Sequence, residues 1–356
     1  MRTACYILIV IFGLFLAAPA AQMAFRIAPE SRLSGVVAQV PFPVFHGRDV
    51  WDGKWQSAIS TWFDRQIGFR GAAVRSDNQA GYSVFREVWS ASSDRPVLGR
   101  DNVLYQIGYV ESYNGLNLHA ESELESMAEN LRKLQDALAR RRIAMVLAIS
   151  PSKAVLYPEC LPASRVMPPA NRPPSDYERM IPMLRARGVH TVDGPALFAA
   201  EKRRSSLKLF PPGGTHWNRY GAGLFIQQIW TNAERQLGRP LAGLRFVSLE
   251  ETEEPSRRDK ETDLVELMNL WRMGPSSWKQ VRVQLEPAIP SGSMAPRVVM
   301  IGDSFAEMLV DIMRCGWVSS LDYYYYFSRR LRVPGSALTA VDRPKIDWEK
   351  DVFSAD

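Results

Sequence analysis

Cysteine and histidine are scarce in this chain of 356 residues: three of the first (Cys5, Cys160, Cys315) and four of the second (His46, His119, His190, His216). With no Cys-x-x-Cys pair among them, no structural zinc site is expected, and neither a metal nor any other cofactor is implied. No charge of one sign dominates, since 44 Lys and Arg face 38 Asp and Glu and leave a net +6. The excess is scattered over short clusters such as Arg140-Arg141-Arg142, Lys202-Arg203-Arg204 and Arg329-Arg330. Clusters of this size read as solvated faces, so nucleic acid is not the expected partner, while an acidic polymer or an anionic membrane surface fits the same charge. After Phe25 no apolar run is long enough to span a bilayer, which excludes a polytopic membrane protein. A composition 46% hydrophobic and 23% charged excludes disordered and collagen-like chains, and it suffices to bury one large core or two modest ones.

The one long apolar run stands at the start. From Thr3 to Phe25 there is no charge, and the small residues Ala17-Ala18-Pro19-Ala20-Ala21 close the run. Residues 1–27 therefore read as a signal peptide or an N-terminal membrane anchor, and both export the rest of the chain. Cys5 belongs to that segment, leaving Cys160 and Cys315 in the body. In an oxidising compartment these two either pair or stay as separate buried thiols, and spacing does not decide between them.

Residues 28–95 read as a helical lead-in. Trp55, Ala58, Ile59, Trp62 and Phe63 recur at helical spacing as a packing face, Gly68-Phe69-Arg70 breaks the run, and a second amphipathic stretch covers Ala72 to Trp89. Composition turns polar at residues 92–96, which sets the boundary of a second domain over 96–356. There Val97 to Tyr105 predicts a hairpin, and Leu124, Met127, Leu131, Leu134 and Leu138 mark one face of a long helix. Ile143 to Ile149 predicts a strand buried on both faces. A helix over 176–187, a strand ending at Asp193, a helix over 220–237, a charged loop over 250–260, a strand over 297–301 and a helix over 306–314 follow. This alternation predicts a three-layer α/β/α sandwich with a mainly parallel sheet.

Gly302-Asp303-Ser304-Phe305 falls between an apolar strand and a helix start. Such a turn lifts the Ser304 side chain off the end of the sheet, and Gly302, Asp303 and Phe305 would position it and a developing oxyanion. The same residues would serve as an ordinary helix cap. A serine hydroxyl needs a base, and His216, in a Gly-Gly-Thr-His-Trp-Asn turn just before a helix, is the best placed of the four histidines. Tyr323 to Tyr326 and Trp217 could stack on sugar rings, although buried packing is the commoner use of such residues.

Several segments occur in a telling order: Trp62 to Arg70, Gly99 to Tyr105, Ser150-Pro151-Ser152-Lys153 through Glu159, Thr215-His216-Trp217-Asn218, and Gly302-Asp303-Ser304-Phe305. Together they resemble the alginate O-acetyltransferase family, the AlgJ/AlgX-like proteins with an SGNH-hydrolase fold. The resemblance implies a periplasmic protein, free or held at the inner membrane through residues 3–25. It would move acetyl groups onto polysaccharide hydroxyls, fed by a membrane-bound acyl-transfer partner. Ser304 would carry the acetyl and His216 would act as general acid and base. A carbohydrate esterase, or a polysaccharide-binding scaffold whose site has decayed, are the rival readings. The chain departs from the family at Gly214, where relatives often carry the Asp that orients the imidazole. Asp263 is the first candidate to replace it and Asp193 the second; Asp263 would equally serve as a helix cap. Relatives are also expected to continue past Asp356 with an apolar strand, whose absence would leave an open sheet edge.

Overall fold

The uncharged start of the sequence folds as one helix, α1 (Arg2–Phe25), of which Cys5–Phe25 is long and apolar enough to cross a membrane. The computed structural model describes residues 2–35, 40–88, 95–168, 170–333 and 338–356. The chain divides into two units, residues 1–96 with 265–274, and residues 97–264 with 275–356.

In the first unit, α1 is followed by α2 (Gly47–Trp51), α3 (Lys54–Gln66) and α4 (Arg70–Ala80). The aromatic stripe of α3 meets the preceding loop, not a core. Trp62 packs edge-on against Phe42 at 4.9 Å and Trp55 against Phe45 at 5.4 Å, while Phe63 remains 46% exposed. The predicted break is a left-handed turn, with Phe69 at φ +60° between α3 and α4. Segment 265–274 joins this unit through Asn78 and Arg75, which donate to the carbonyls of Met268 (2.8 Å) and Leu270 (2.7 Å). Trp89 and the polar residues 92–94 lie outside the described residues.

The second unit opens with the predicted hairpin, β1 (Pro96–Leu98) and β2 (Leu104–Gln106), turned by Asp101 and Asn102 at φ +55° and +54°. Two helices follow, α5 (Ile107–Tyr113) and α6 (Glu121–Arg140). The buried face of α6 is rotated from the predicted stripe: Leu124, Ala128 and Gln135 are buried, whereas Met127 and Leu134 stay 44% and 47% exposed. Strand β3 (Leu147–Ile149) takes only the end of the predicted apolar run and is half-buried, not enclosed on both faces. The connection from β3 carries α7 (Lys153–Leu156) and α8 (Asp176–Ala186) to β4 (Thr191–Asp193), which pairs with β3 in parallel. Helices α9 (Gly194–Arg204) and α10 (Arg219–Leu237) come next.

The charged stretch predicted as a loop begins as strand. Its residues 250–252 end β5 (Gly243–Thr252), which pairs antiparallel with β6 (Gln280–Ala288) on either side of α11 (Asp263–Leu267). The chain closes with β7 (Arg297–Gly302), α12 (Ala306–Met313), β8 (Ser320–Tyr325), β9 (Arg329–Val333), β10 (Thr339–Ala340) and α13 (Trp348–Asp351). Strands β7 and β8 are parallel, but β9 and β10 add antiparallel because short connections join them.

The unit mixes helices and strands as expected, but the described strands make four small sheets with both kinds of pairing and do not confirm a mainly parallel one. The cause is local. Among the described residues no strand pairs with the second edge of β3 or of β7. A largely apolar cavity of about 510 Å³ lies there, lined by Val146, Ala148, Val299, Ile301 and Trp230 among others. Asp356 touches both sides, its N–H donating to the Arg297 carbonyl (3.2 Å) and its own carbonyl accepting from Ala144 N–H (3.3 Å).

The core is aromatic. Phe198, Phe210, Trp217, Phe225, Phe305 and Trp317 are all fully buried. Trp217 stands 4.8 Å from Phe225 and 5.2 Å from Phe305, which ties α10 to the turn after β7. Burying each such side chain contributes about 1.5–3 kcal/mol.

Helix α8 shows how the sequence fixes an end. Ser175 caps it, and Glu178 reaches back to the Ser175 N–H (2.7 Å) while taking two bonds from Arg172 (2.9 and 2.6 Å). The Arg172 guanidinium, with help from Ser175, holds the Glu178 carboxyl down at about 2, against an ordinary 4.5. A carboxyl depressed on folding stabilises fully above its ordinary value and loses that contribution as pH falls through the folded value. Urea unfolding midpoints should thus fall between about pH 4.5 and 2. Glu178→Gln should be less stable at pH 7, and its deficit should close towards pH 2; a constant deficit would contradict the assignment.

Candidate active site

Three elements bring three side chains into line. Ser304 follows β7 at the start of α12, His216 sits in the loop between α9 and α10, and Asp263 is the first residue of α11. His216 Nε2 lies 2.9 Å from Ser304 Oγ, and His216 Nδ1 lies 2.9 Å from Asp263 Oδ2. With the ring proton on Nδ1, the imidazole donates to the carboxylate and accepts from the hydroxyl. The His216 and Asp263 side chains are 15% and 24% exposed, a setting that weakens competition from water.

Each position has a local cause. At Gly302 an added β-carbon would come within 2.9 Å of the Ala306 β-carbon, so the turn from β7 into α12 closes tightly only on glycine. Asp303 locks that turn: its Oδ1 accepts from Phe305 N–H (2.9 Å) and its carbonyl accepts from the Tyr323 hydroxyl (2.6 Å). The Phe305 amide, expected near an oxyanion, is thus engaged by Asp303. The Phe305 ring is buried and lies 4.9 Å from the His216 ring, forming one wall for the imidazole.

The His216 loop is buried although irregular, so its polar groups need partners. Asn218 caps α10 by accepting from Gly221 N–H (3.0 Å), and its amide donates to the Lys208 carbonyl (2.7 Å). Leu104 N–H donates to the Pro212 carbonyl (2.8 Å) and Leu264 N–H to that of Gly213 (3.2 Å). Asp263 closes the set: Oδ1 accepts from Thr215 N–H (2.8 Å) while Oδ2 faces the ring. Its two oxygens hold the backbone beside the histidine and the histidine itself.

Asp193, the second candidate acid, is elsewhere, capping α9 and accepting from the Tyr177 hydroxyl (2.7 Å). His119 pairs with Asp176 at 2.5 Å on the surface, and His46 and His190 are exposed. Cys160 and Cys315 are both free thiols. Tyr323, Tyr324 and Trp217 are buried, leaving Tyr326, at 59% exposure, as the most accessible of the aromatic run. Among the described residues no cluster suited to a metal ion occurs. The wall of the site, by contrast, is announced by no motif in the sequence. A cavity of about 180 Å³ beside Ser304 and His216 is lined by Arg258, Asp259, Lys260, Glu307, Met308 and Asp311. These charges are matched, as Lys260 pairs with Glu307 (2.5 Å) and Asp311 with both Arg258 (3.2 Å) and Arg219 (2.5 Å). Burial pushes the Asp311 carboxyl up, but the two guanidiniums outweigh it and hold the group below the usual range.

Gly214 contributes no carboxylate, and the space around it explains why a side chain is hard to place. An added β-carbon would stand 2.9 Å from the Lys260 carbonyl oxygen, 2.9 Å from Pro211 Cγ and 3.1 Å from the Glu261 carbonyl carbon. The backbone crowding that site belongs to the segment that presents Asp263. Gly214→Asp should therefore displace Asp263, lowering stability by about 1–3 kcal/mol and depressing any turnover that depends on His216. Thermal unfolding and ester hydrolysis of this variant test the point; a gain in turnover would refute it.

Known proteins give an independent view. The family described as "SGNH hydrolase-like domain, acetyltransferase AlgX" matches residues 97–312. "Probable alginate O-acetylase AlgJ" of Pseudomonas aeruginosa is 24% identical over 276 residues, covering 72% of this chain and 65% of the relative. The protein of that name from Pseudomonas syringae pv. tomato is 27% identical over 182 residues, covering 51% and 43%. The chain thus spans about two thirds of the first of these relatives and less than half of the second. Among solved structures, the O-acetyltransferase domain of Pseudomonas putida AlgJ superposes with a TM-score of 0.41 at 19% identity, over 65% of this chain and 79% of that one. Pseudomonas aeruginosa AlgX gives 0.38 at 19%, over 72% and 58%.

Proposed function

The chain belongs to the family of SGNH hydrolase-like AlgX acetyltransferase domains, and from that membership we propose that it is an exported O-acetyltransferase acting on hydroxyls of an alginate-like exopolysaccharide. The observation that carries the reading is the unbroken line Ser304 Oγ, His216, Asp263, with 2.9 Å at each step, opening on a polar cavity. We read the four small sheets as sections of one α/β/α sandwich of the SGNH-hydrolase kind.

In the first half-reaction Ser304 Oγ attacks the carbonyl carbon of an acetyl donor while His216 Nε2 removes the hydroxyl proton. The Oγ–C bond forms, the bond from the acetyl carbon to the donor oxygen breaks, and the imidazolium returns the proton to the leaving oxygen. In the second, a sugar hydroxyl attacks the acetyl-serine, His216 takes its proton, and the serine leaves with a proton restored. Asp263 keeps Nδ1 protonated and stabilises the imidazolium in both halves. The turn of Gly302, Asp303 and Phe305 holds the Ser304 hydroxyl in place for attack on the acetyl carbonyl, whose oxygen becomes the oxyanion. A wall carrying paired charges of both signs offers donors and acceptors to a hydroxyl-rich acceptor. Helix α1 serves as signal or inner-membrane anchor, setting the site in the periplasm, where a membrane-bound acyl-transfer protein supplies the acetyl.

The test is the full chain with a chromogenic acetyl ester, with and without an alginate oligosaccharide. Acetylated oligosaccharide should appear by mass spectrometry. Ser304→Ala and His216→Ala should each lower turnover by roughly 10⁴-fold or more, with the double variant little worse, and Asp263→Asn by about 10⁴. Unchanged turnover by Ser304→Ala would remove the nucleophile assignment. Acetate released equally with and without acceptor would make the protein an esterase, and no release at all would make it a binding scaffold.

A further inference from the structure

One buried cation has no place in the scheme above. Lys153, the first residue of α7, is 3% exposed, and among the described residues no carboxylate pairs with it directly. Its Nζ donates to backbone carbonyls: Leu104 (2.9 Å), Pro211 (2.5 Å), Pro212 (3.2 Å) and Gly214. Three of these four acceptors belong to the loop that carries His216, and Gly214 is two residues from the imidazole. Its ammonium also lies 5.8 Å from the centre of the Tyr105 ring.

We propose that Lys153 is a positioning residue for the catalytic imidazole, using its buried ammonium to gather the carbonyls of Pro211, Pro212 and Gly214 and so fix the His216 ring on the line between Asp263 and Ser304. The inference rests on the catalytic role given above to His216.

The loop's composition explains the need for a cation. Pro211 and Pro212 have no N–H, and Gly213 and Gly214 have no side chain, so four consecutive residues offer four carbonyl acceptors against two N–H donors. When their carbonyls turn inward, the dipoles converge on a point of negative potential that an apolar side chain cannot satisfy. Leaving even one such carbonyl unpaired costs about 1–3 kcal/mol, and an ammonium meets several at once with three divergent donors. Charge-assisted bonds are about twice as strong as neutral ones and hold geometry more tightly. Two anchors then bracket the ring: Lys153 holds the carbonyl side of Gly214 from within, and Asp263 holds the next N–H, that of Thr215. The two anchors also attract one another. Burial pulls the Lys153 ammonium down to about 7, and Asp263, with Cys160, is the charge that opposes the fall. Misplacing a catalytic group by about 1 Å costs up to 10²-fold in rate, so an anchor of the loop acts on the rate without touching substrate.

The experiment reads the ring directly in the full chain in detergent. The Nδ1–H bonded to Asp263 should give a low-field proton resonance with ¹⁵N-histidine labelling, assigned by its absence from His216→Gln. In Lys153→Met, with wild-type far-UV circular dichroism, the resonance should broaden or vanish. Its kcat for the acetyl ester should fall by roughly 10–100-fold with KM within about twofold. Lys153→Gln, which keeps amide donors without the charge, should fall between Met and wild type in both readouts. The Gln variant also decides the question if the Met variant does not fold. A folded Lys153→Met, or a Lys153→Gln, with the wild-type resonance and wild-type kcat overturns the proposal. The resonance does not depend on turnover. If wild type proves inactive on every acyl donor while the resonance still responds to Lys153, the enzymatic reading fails and the positioning of the ring stands.

Discussion

The requirement on which most of this structure depends is the burial of an irregular loop, Phe210 to Asn218, around one imidazole. Regular structure satisfies its own backbone; a loop rich in proline and glycine does not. The unit answers with partners drawn from far along the chain: the amides of Leu104 and Leu264, the ammonium of Lys153 and the carboxylate of Asp263. Much else in the second unit serves to bring these partners to one place. The short hairpin of β1 and β2 delivers Leu104, α7 delivers Lys153 beyond the end of β3, and α11 delivers Asp263. Trp217 and Phe305 then press the loop against the turn after β7.

The division of labour among these elements has a physical logic. Ser304 stands where a strand turns into a helix, a turn closed by Gly302 and locked by Asp303. Asp263 and His216 come from a short helix and a loop, elements that adapt to one another through backbone bonds such as Leu264 N–H to the Gly213 carbonyl. Fixed distances of 2.9 Å on both sides of the ring thus join a rigid element to two adjustable ones.

How much of this is legible in the sequence varies with range. Local signals read well. The charge-free start becomes α1, Asp101 and Asn102 turn the first hairpin, and Phe69 breaks the helix pair. Their turns mark out Ser304 and His216, the missing carboxylate at position 214 directs attention to Asp263, and the structure sets these three side chains in a row. Long-range pairing is what the sequence conceals. Strands β5 and β6 are separated by more than two dozen residues and carry Glu and Arg on exposed faces, so the end of β5 reads as a solvated loop. The apolar run 143–149 signals a wholly buried strand, yet only its last three residues pair, because the space beside β3 is a cavity and not a neighbour. Lys153 is equally hidden: nothing in the residues around it announces that four carbonyls converge on its ammonium.

Position 214 carries a wider consequence. A carboxylate two residues before the imidazole and a backbone at Lys260 and Glu261 close enough to present Asp263 compete for the same few ångströms. A side chain at 214 and the present course of Lys260 and Glu261 cannot both stand unless one of them shifts, so the two positions are coupled. A side chain gained at 214 alone would crowd the backbone that presents Asp263. Position 214 and the segment 260–263 should therefore change together across homologous sequences, as a pair of alternative solutions and not as independent sites.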